Sequence, residues 1–241
     1  MANPLDYYIS RKPRLLKDFD TYVKYTHPVL IRYFGEASVN DLVADTHREY
    51  ENLIPQLPYL GGKQPFTQFI ISTGMLLAVY RVAKARGKTL EEIGELVYEI
   101  GRAFLRAYPA FLMRFFGNMN FSRFYIGRLR KRAKESHLRQ YPEDYVFNFI
   151  EGDGVSFDYG VDYLECAGCK FLARQGASEL APYICPVDIL YSETLGWGLT
   201  RTMTLAGGAE KCDFRFKKGG PTNIAVPESL KPVVARSGLT G

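Results

Sequence analysis

The chain has 241 residues, of which 46% are apolar, 14% aromatic and 24% charged, which excludes collagen-like, mucin-like and wholly disordered chains and leaves ample material for a buried core. The formal charge of +5 is uneven, because residues 120–140 hold seven basic side chains against Glu135 and the remainder is close to neutral. The length fits one domain with an extension or two small domains.

The first half reads as helices. Leu15, Phe19, Tyr22, Val23 and Leu30 recur at helical spacing, so a helix is expected over Leu15–Phe34, stopped by Gly35 in a left-handed conformation. Ser38 is the expected cap of a second helix, Val39–Leu53, ended by Pro55 and Pro58. Gln64-Pro65 opens a third, mostly apolar helix running to Gly87, and Thr89 with Glu92 forms a capping box for Leu90–Ala107. A short aromatic stretch, Pro109–Gly117, leads to an amphipathic basic helix expected to place Phe121, Phe124, Tyr125 and Leu129 on its core face.

After Tyr141-Pro142 the period changes to alternation. Tyr145–Ile150 and Val155–Tyr163 are the expected strands of a hairpin turned at Glu151-Gly152-Asp153-Gly154, with Asp158, Gly160 and Asp162 on one face. Short helices are expected over Cys166–Ala173 and Ala181–Thr194, then a second strand pair, Leu199–Leu205 and Cys212–Phe216. The tail from Gly219 has no period and is expected to wrap the surface or stay loose. The layout is α+β: a helical region 1–140 packed on an antiparallel sheet with flanking helices over 141–218, then an irregular tail, 219–241.

Four cysteines, Cys166, Cys169, Cys185 and Cys212, fall within 47 residues. Thiolates so spaced suit a tetrahedral zinc site, although Cys185 and Cys212 do not form the second C-x-x-C of a zinc ribbon. The alternatives are a nucleophilic thiol or simple packing. Asp188, Arg201, Asp213 and Arg215 nearby offer acid, base and carboxylate clamp, while Asp213 and Arg215 share a strand face opposite Cys212 and read equally as a surface ion pair. His27, His47 and His137 lie apart from the cysteines; no nucleophile elbow or phosphate loop is present. The basic helix reads as a solvated face, so no nucleic-acid partner is expected. Met1–Lys12 lacks the pattern of a signal peptide and the apolar run Phe69–Val82 is short for a bilayer, so a cytoplasmic protein without a membrane span is expected, with homo-oligomerisation open.

Asp158-Tyr159-Gly160-Val161-Asp162-Tyr163, Glu165-Cys166, Glu179-Leu180-Ala181-Pro182-Tyr183-Ile184-Cys185 with Asp188, Arg201-Thr202 and Cys212-Asp213-Phe214-Arg215-Phe216 resemble the L-2-amino-thiazoline-4-carboxylic acid hydrolase family. Leu57-Pro58-Tyr59-Leu60-Gly61-Gly62 is similar to its N-terminal signature, so the resemblance spans about residues 40–218. A fainter likeness is to 4-vinyl reductase-type domains, which bind small molecules. The family resemblance implies hydrolysis of a cyclic amidine at a carbon–nitrogen bond, giving a carbamoyl-cysteine. The catalytic set expected from it is Cys166, Cys185, Asp188, Cys212 and Asp213, with Arg201, Arg215, Asp158 and Asp162 as substrate ligands. Cys166, Cys169, Cys185 and Cys212 are, alternatively, ligands of a divalent metal such as zinc or manganese. The competing expectation is a non-enzymatic small-molecule-binding or metal-sensing module.

Overall fold

A computed structural model describes residues 6–62 and 64–236. The first five residues of the leader reading and the last five of the expected tail lie outside the described residues.

Seven helices come first: α1 (Asp6–Ile9), α2 (Lys12–Phe34), α3 (Glu36–Leu53), α4 (Pro65–Ala85), α5 (Leu90–Arg106), α6 (Ala110–Met119) and α7 (Arg123–Ser136). Gly35 stops α2 with a positive φ (80°), but its ψ is extended (154°) instead of the left-handed helical conformation expected, and it is itself the N-cap of α3, so Ser38 lies inside that helix instead of capping it. The capping box forms as expected: the Glu92 backbone N–H donates to Thr89 Oγ1 (3.2 Å) and the Thr89 N–H to Glu92 Oε2 (2.9 Å). The aromatic stretch after Pro109 is helical, and Ser122 caps α7 through the Tyr125 N–H. On α7 the expected core face is only partly realised, because Phe124 points to solvent.

The apolar helix α4 is long enough to cross a bilayer by length and composition, longer than the uninterrupted run in the sequence implied. Its most apolar window is 78% buried within the protein, against α3, α5 and the C-terminal half.

The second half is built on one sheet rather than two strand pairs. Strands β1 (Val146–Glu151), β2 (Tyr159–Glu165), β3 (Leu199–Arg201), β4 (Cys212–Phe216) and β5 (Asn223–Ile224) lie in the order β1-β2-β4-β3-β5. The sheet is mixed: β5 runs parallel to β3, and the other pairings are antiparallel. The loop of the first hairpin is longer than a tight turn, since Asp153 Oδ1 takes the N–H groups of Val155 (2.9 Å) and Ser156 (2.7 Å) and delays strand pairing to Tyr159.

Helix α8 (Ala167–Arg174) follows β2 at once, and the single helix expected from Ala181 is broken at Cys185-Pro186 into α9 (Ala181–Ile184) and α10 (Val187–Leu195). Pro186 has no N–H to donate to the helical ladder, and Cys185 before it keeps helical geometry, so the helix breaks through the missing bond. The tail is not loose: Ile224 of β5 is buried, as are Leu230 and, on α11 (Lys231–Arg236), Val233.

One apolar cluster joins the halves, running from Phe19, Tyr50 and Leu77 in the helices to Phe147, Val161 and Phe171 in the C-terminal part. Helix α5 carries α9 and α10 on its surface, and Gly94 allows this approach: a Cβ there would lie 2.0 Å from Cδ1 of Tyr183. The elements bearing Cys185 and Asp188 are thereby fixed to the helical half.

Candidate functional site

The pairing of β2 with β4 sets Tyr163 opposite Cys212 and Val161 opposite Phe214, and alternation puts these side chains on the face covered by helices. Cys166 ends β2 and is the N-cap of α8, with Cys169 in that helix's first turn. Cys185 and Asp188 flank Pro186 at the break between α9 and α10. The strand–helix junction, the helix break and the central strands thus converge.

The centre of this convergence is Arg201. Its guanidinium is only 2% exposed, pairs through Nη1 with the Asp188 carboxylate, donates from Nη2 to the Cys185 carbonyl (3.2 Å) and lies 5.0 Å from the Phe214 ring centroid. Burial disfavours the charged guanidinium, but Asp188, with Cys185 and Cys212, more than offsets this and raises its pKa. Asp188 is crowded by protein yet keeps 33% of its side chain exposed, in contrast to the enclosed Arg201. Burial lifts its pKa above the ordinary 3.8, and Arg201 only partly counters that.

Three of the thiols, Cys166, Cys185 and Cys212, are held protonated. Cys166 is pushed well above the ordinary value, first by its hydrogen bond with the Cys169 thiol and then by burial. Burial raises Cys185 as well, and raises Cys212 to about 11 while the Leu205 N–H donates to its sulfur (3.2 Å). Cys166, Cys185, Cys212, Asp188 and Arg201 all lie close enough to perturb one another.

The expected sharing of a zinc or manganese ion by Cys166, Cys169, Cys185 and Cys212 does not fit this arrangement. Among the described residues no group of three or more His, Cys, Asp or Glu side chains is placed to hold a metal ion. The neighbours account for this: the Arg201 cation lies beside Cys185 and Cys212, Cys166 is hydrogen-bonded to Cys169, and the Cys212 sulfur accepts a backbone N–H.

The remaining expected site residues lie on the other face of the sheet. Asp162 and Asp213 face each other across β2 and β4, a repulsive pairing relieved by separate partners. Asp162 takes Lys211 Nζ (2.8 Å) and Arg215 Nη1 (2.7 Å), so Arg215 pairs there and not with Asp213. Asp213 takes the backbone N–H groups of Thr202 (2.9 Å) and Met203 (2.8 Å) and the Thr202 hydroxyl (2.6 Å). Asp158 holds Lys217 Nζ (3.2 Å) and the Lys218 N–H (2.7 Å). These groups close a loop and a strand end, apart from the thiols. Arg201 joins the thiol side but is enclosed, so it holds Asp188 and is not open to a substrate carboxylate.

Two tyrosines complete the cluster. Tyr163 has its pKa driven well above 10 by burial, with Tyr125, Asp188 and Cys166 adding to the effect, and Tyr145 is raised in the same way beside Cys166 and Cys169. Both therefore remain hydroxyl donors at neutral pH. Alternation alone placed Tyr163 with Tyr159 and Val161; only the register with Cys212 reveals that this is the thiol side.

The fold and the cluster define an α+β protein whose helical half closes one face of a mixed sheet over a cluster of thiol, carboxyl and guanidinium groups. Residues 68–216 match the family described as L-2-amino-thiazoline-4-carboxylic acid hydrolase; they cover more than half of the chain, which belongs to that family. The match holds every cysteine, Asp188 and Arg201 and begins after the Leu57–Gly62 stretch. No curated protein and no solved structure matches the chain.

Proposed function

We propose that the protein hydrolyses a small cyclic amidine, with 2-amino-thiazoline-4-carboxylate as the first substrate to test. The observation that carries this reading is the meeting, inside the family-matched stretch, of a partly exposed Asp188 with Cys185 and Cys212, and of these thiols with Cys166, beside one buried guanidinium.

In this reading water attacks the ring carbon between nitrogen and sulfur. Asp188 takes the water's proton and returns one to the ring nitrogen, whose bond to that carbon then breaks. The nitrogen leaves as an amine and the carbamoyl group stays on sulfur, so one water is consumed and no redox partner is required. A carboxyl held above its ordinary range suits both directions of that transfer. Arg201 orients Asp188, and Tyr163 donates a hydrogen bond toward the substrate. Cys166, Cys185 and Cys212, their pKa values raised, stay protonated beside Asp188 and take no nucleophilic role.

The test is ring opening of 2-amino-thiazoline-4-carboxylate by the purified protein, followed by mass spectrometry of the carbamoyl-cysteine. Wild type is expected to turn over, and Asp188→Asn to lose about a hundredfold or more while keeping its circular dichroism spectrum. Failure of wild type to open this or any related cyclic amidine, with tight binding retained, favours the binding-module alternative.

A further inference from the structure

A second feature lies away from this site. From Arg102 through Lys134 the chain has nine basic residues and no acidic one. The stretch covers α6 and all of α7 but its last two residues, Glu135 and Ser136, and it carries several of the exposed large apolar side chains. Phe111, Phe115 and Met119 recur four residues apart along α6 and are exposed, Phe111 at 77%. Phe116 is exposed beside Phe115, with ring centroids 5.8 Å apart. Five residues beyond Met119, across the turn between α6 and α7, Phe124 is again exposed (74%), with the Arg128 guanidinium 5.6 Å from its ring centroid.

The back of α6 is firmly seated. Gly117 meets the Leu195 carbonyl so closely that a Cβ would lie 1.8 Å from the oxygen, so the outward face is held in place by α10. A solvated charged face explains the basic residues of α7, but not a row of phenylalanines turned to water.

The occupant follows from the charge. Arg114, Arg123, Arg128 and Lys134 are exposed, and none takes part in an ion pair among the described residues. Apolar side chains with unpaired cations beside them match the boundary of a bilayer, where phenylalanine enters the acyl region and arginine meets lipid phosphate. A second copy seated on the same face would set these cations against their equivalents. A nucleic acid would leave the α6 phenylalanines without a role.

We propose that α6 and the start of α7 form a peripheral docking surface for an anionic lipid bilayer. The surface rests on exposure and charge alone and is independent of the hydrolase reading.

Co-sedimentation with phosphatidylcholine vesicles, with and without phosphatidylserine, tests it. The protein is expected to pellet with the anionic vesicles and not with the neutral ones, and to be released as salt is raised. Phe111→Ser with Phe115→Ser and Phe124→Ser is expected to weaken binding about tenfold or more. Arg123→Gln with Arg128→Gln should weaken it by roughly fivefold for each cation removed. All five positions are exposed, so circular dichroism and melting temperature should match wild type. The proposal is overturned if wild type ignores anionic vesicles or if both variants bind as wild type does. It is equally overturned if sedimentation velocity finds a dimer that the phenylalanine variant dissociates, or if duplex DNA binds where vesicles do not.

Discussion

Replacing Arg201 with methionine removes the charge while keeping much of the side-chain volume. What remains is Asp188, crowded by protein and without its counter-charge, beside Cys185, Cys212 and the buried Tyr163. Breaking a buried pair from one side typically costs about 3–5 kcal/mol, a large part of the roughly 5–15 kcal/mol that stabilises a domain. The loss must depend on pH, with a definite sign. Asp188 already has a folded pKa above its ordinary 3.8, and Arg201 is what holds that rise in check. Without Arg201 the folded pKa climbs further, so the folded state retains a proton that the unfolded state releases. Its contribution is therefore fully present below the ordinary value and is lost as pH rises through the folded pKa.

Urea unfolding of Arg201→Met at several pH values should accordingly show a deficit that is smallest near about pH 4 and grows toward neutrality. Adding Asp188→Leu should recover most of it, because the stranded carboxyl is then gone. A deficit under about 1 kcal/mol, or one that is flat across this range, would refute the argument that burial and Arg201 oppose each other at Asp188.

Two further outcomes follow from local geometry. Gly117→Ala gains about 1 kcal/mol of helix propensity but drives a methyl into the Leu195 carbonyl, and backbone on both sides leaves little room to yield; a net loss of about 1–2 kcal/mol, read as a lower melting temperature, is expected, and an unchanged or higher one contradicts the contact. Alkylation of Cys212 by iodoacetamide, followed by peptide mapping, should keep accelerating with pH toward the thiol's value of about 11; a rate that levels off near about pH 8.5 would mean an ordinary, solvated thiol.

Much of the helical half was legible because its signals are local. The Thr89–Glu92 box, Pro65 after Gln64 and the stop at Gly35 each act within a single turn. The first miss, Ser38, shows the limit: once Gly35 begins α3 directly, no gap remains for a serine cap. Alternation also separated Cys212 from Asp213 on β4 before any contact was known. What could not be read was register. Nothing in the sequence says that Tyr163 faces Cys212, or that Arg215 pairs with Asp162 in preference to Asp213, since both depend on how two distant strands align. The role of Arg201 was hidden for a similar reason: on a short strand it looks available to a ligand, and only the approach of α10 encloses it. The tail was misjudged because β5 is two residues long and α11 six, too brief to display a period.

That tail bears on how the molecule is made. Strand β3, which carries Arg201, has β5 as its outer neighbour, and Ile224 shares a small apolar cluster with Leu199 of β3 and Ile189 of α10, the residue next to Asp188. During synthesis this cluster stays unfinished until the segment through Ile224 has cleared the ribosome, and Val233 must follow before α5 and α10 gain their last cover. A nascent chain cut at residue 218 would leave β3 as a bare edge beside the would-be centre, open to pairing with other chains. Support for the strand that carries Arg201 and protection of its edge therefore arrive together, once residues 223–233 have emerged.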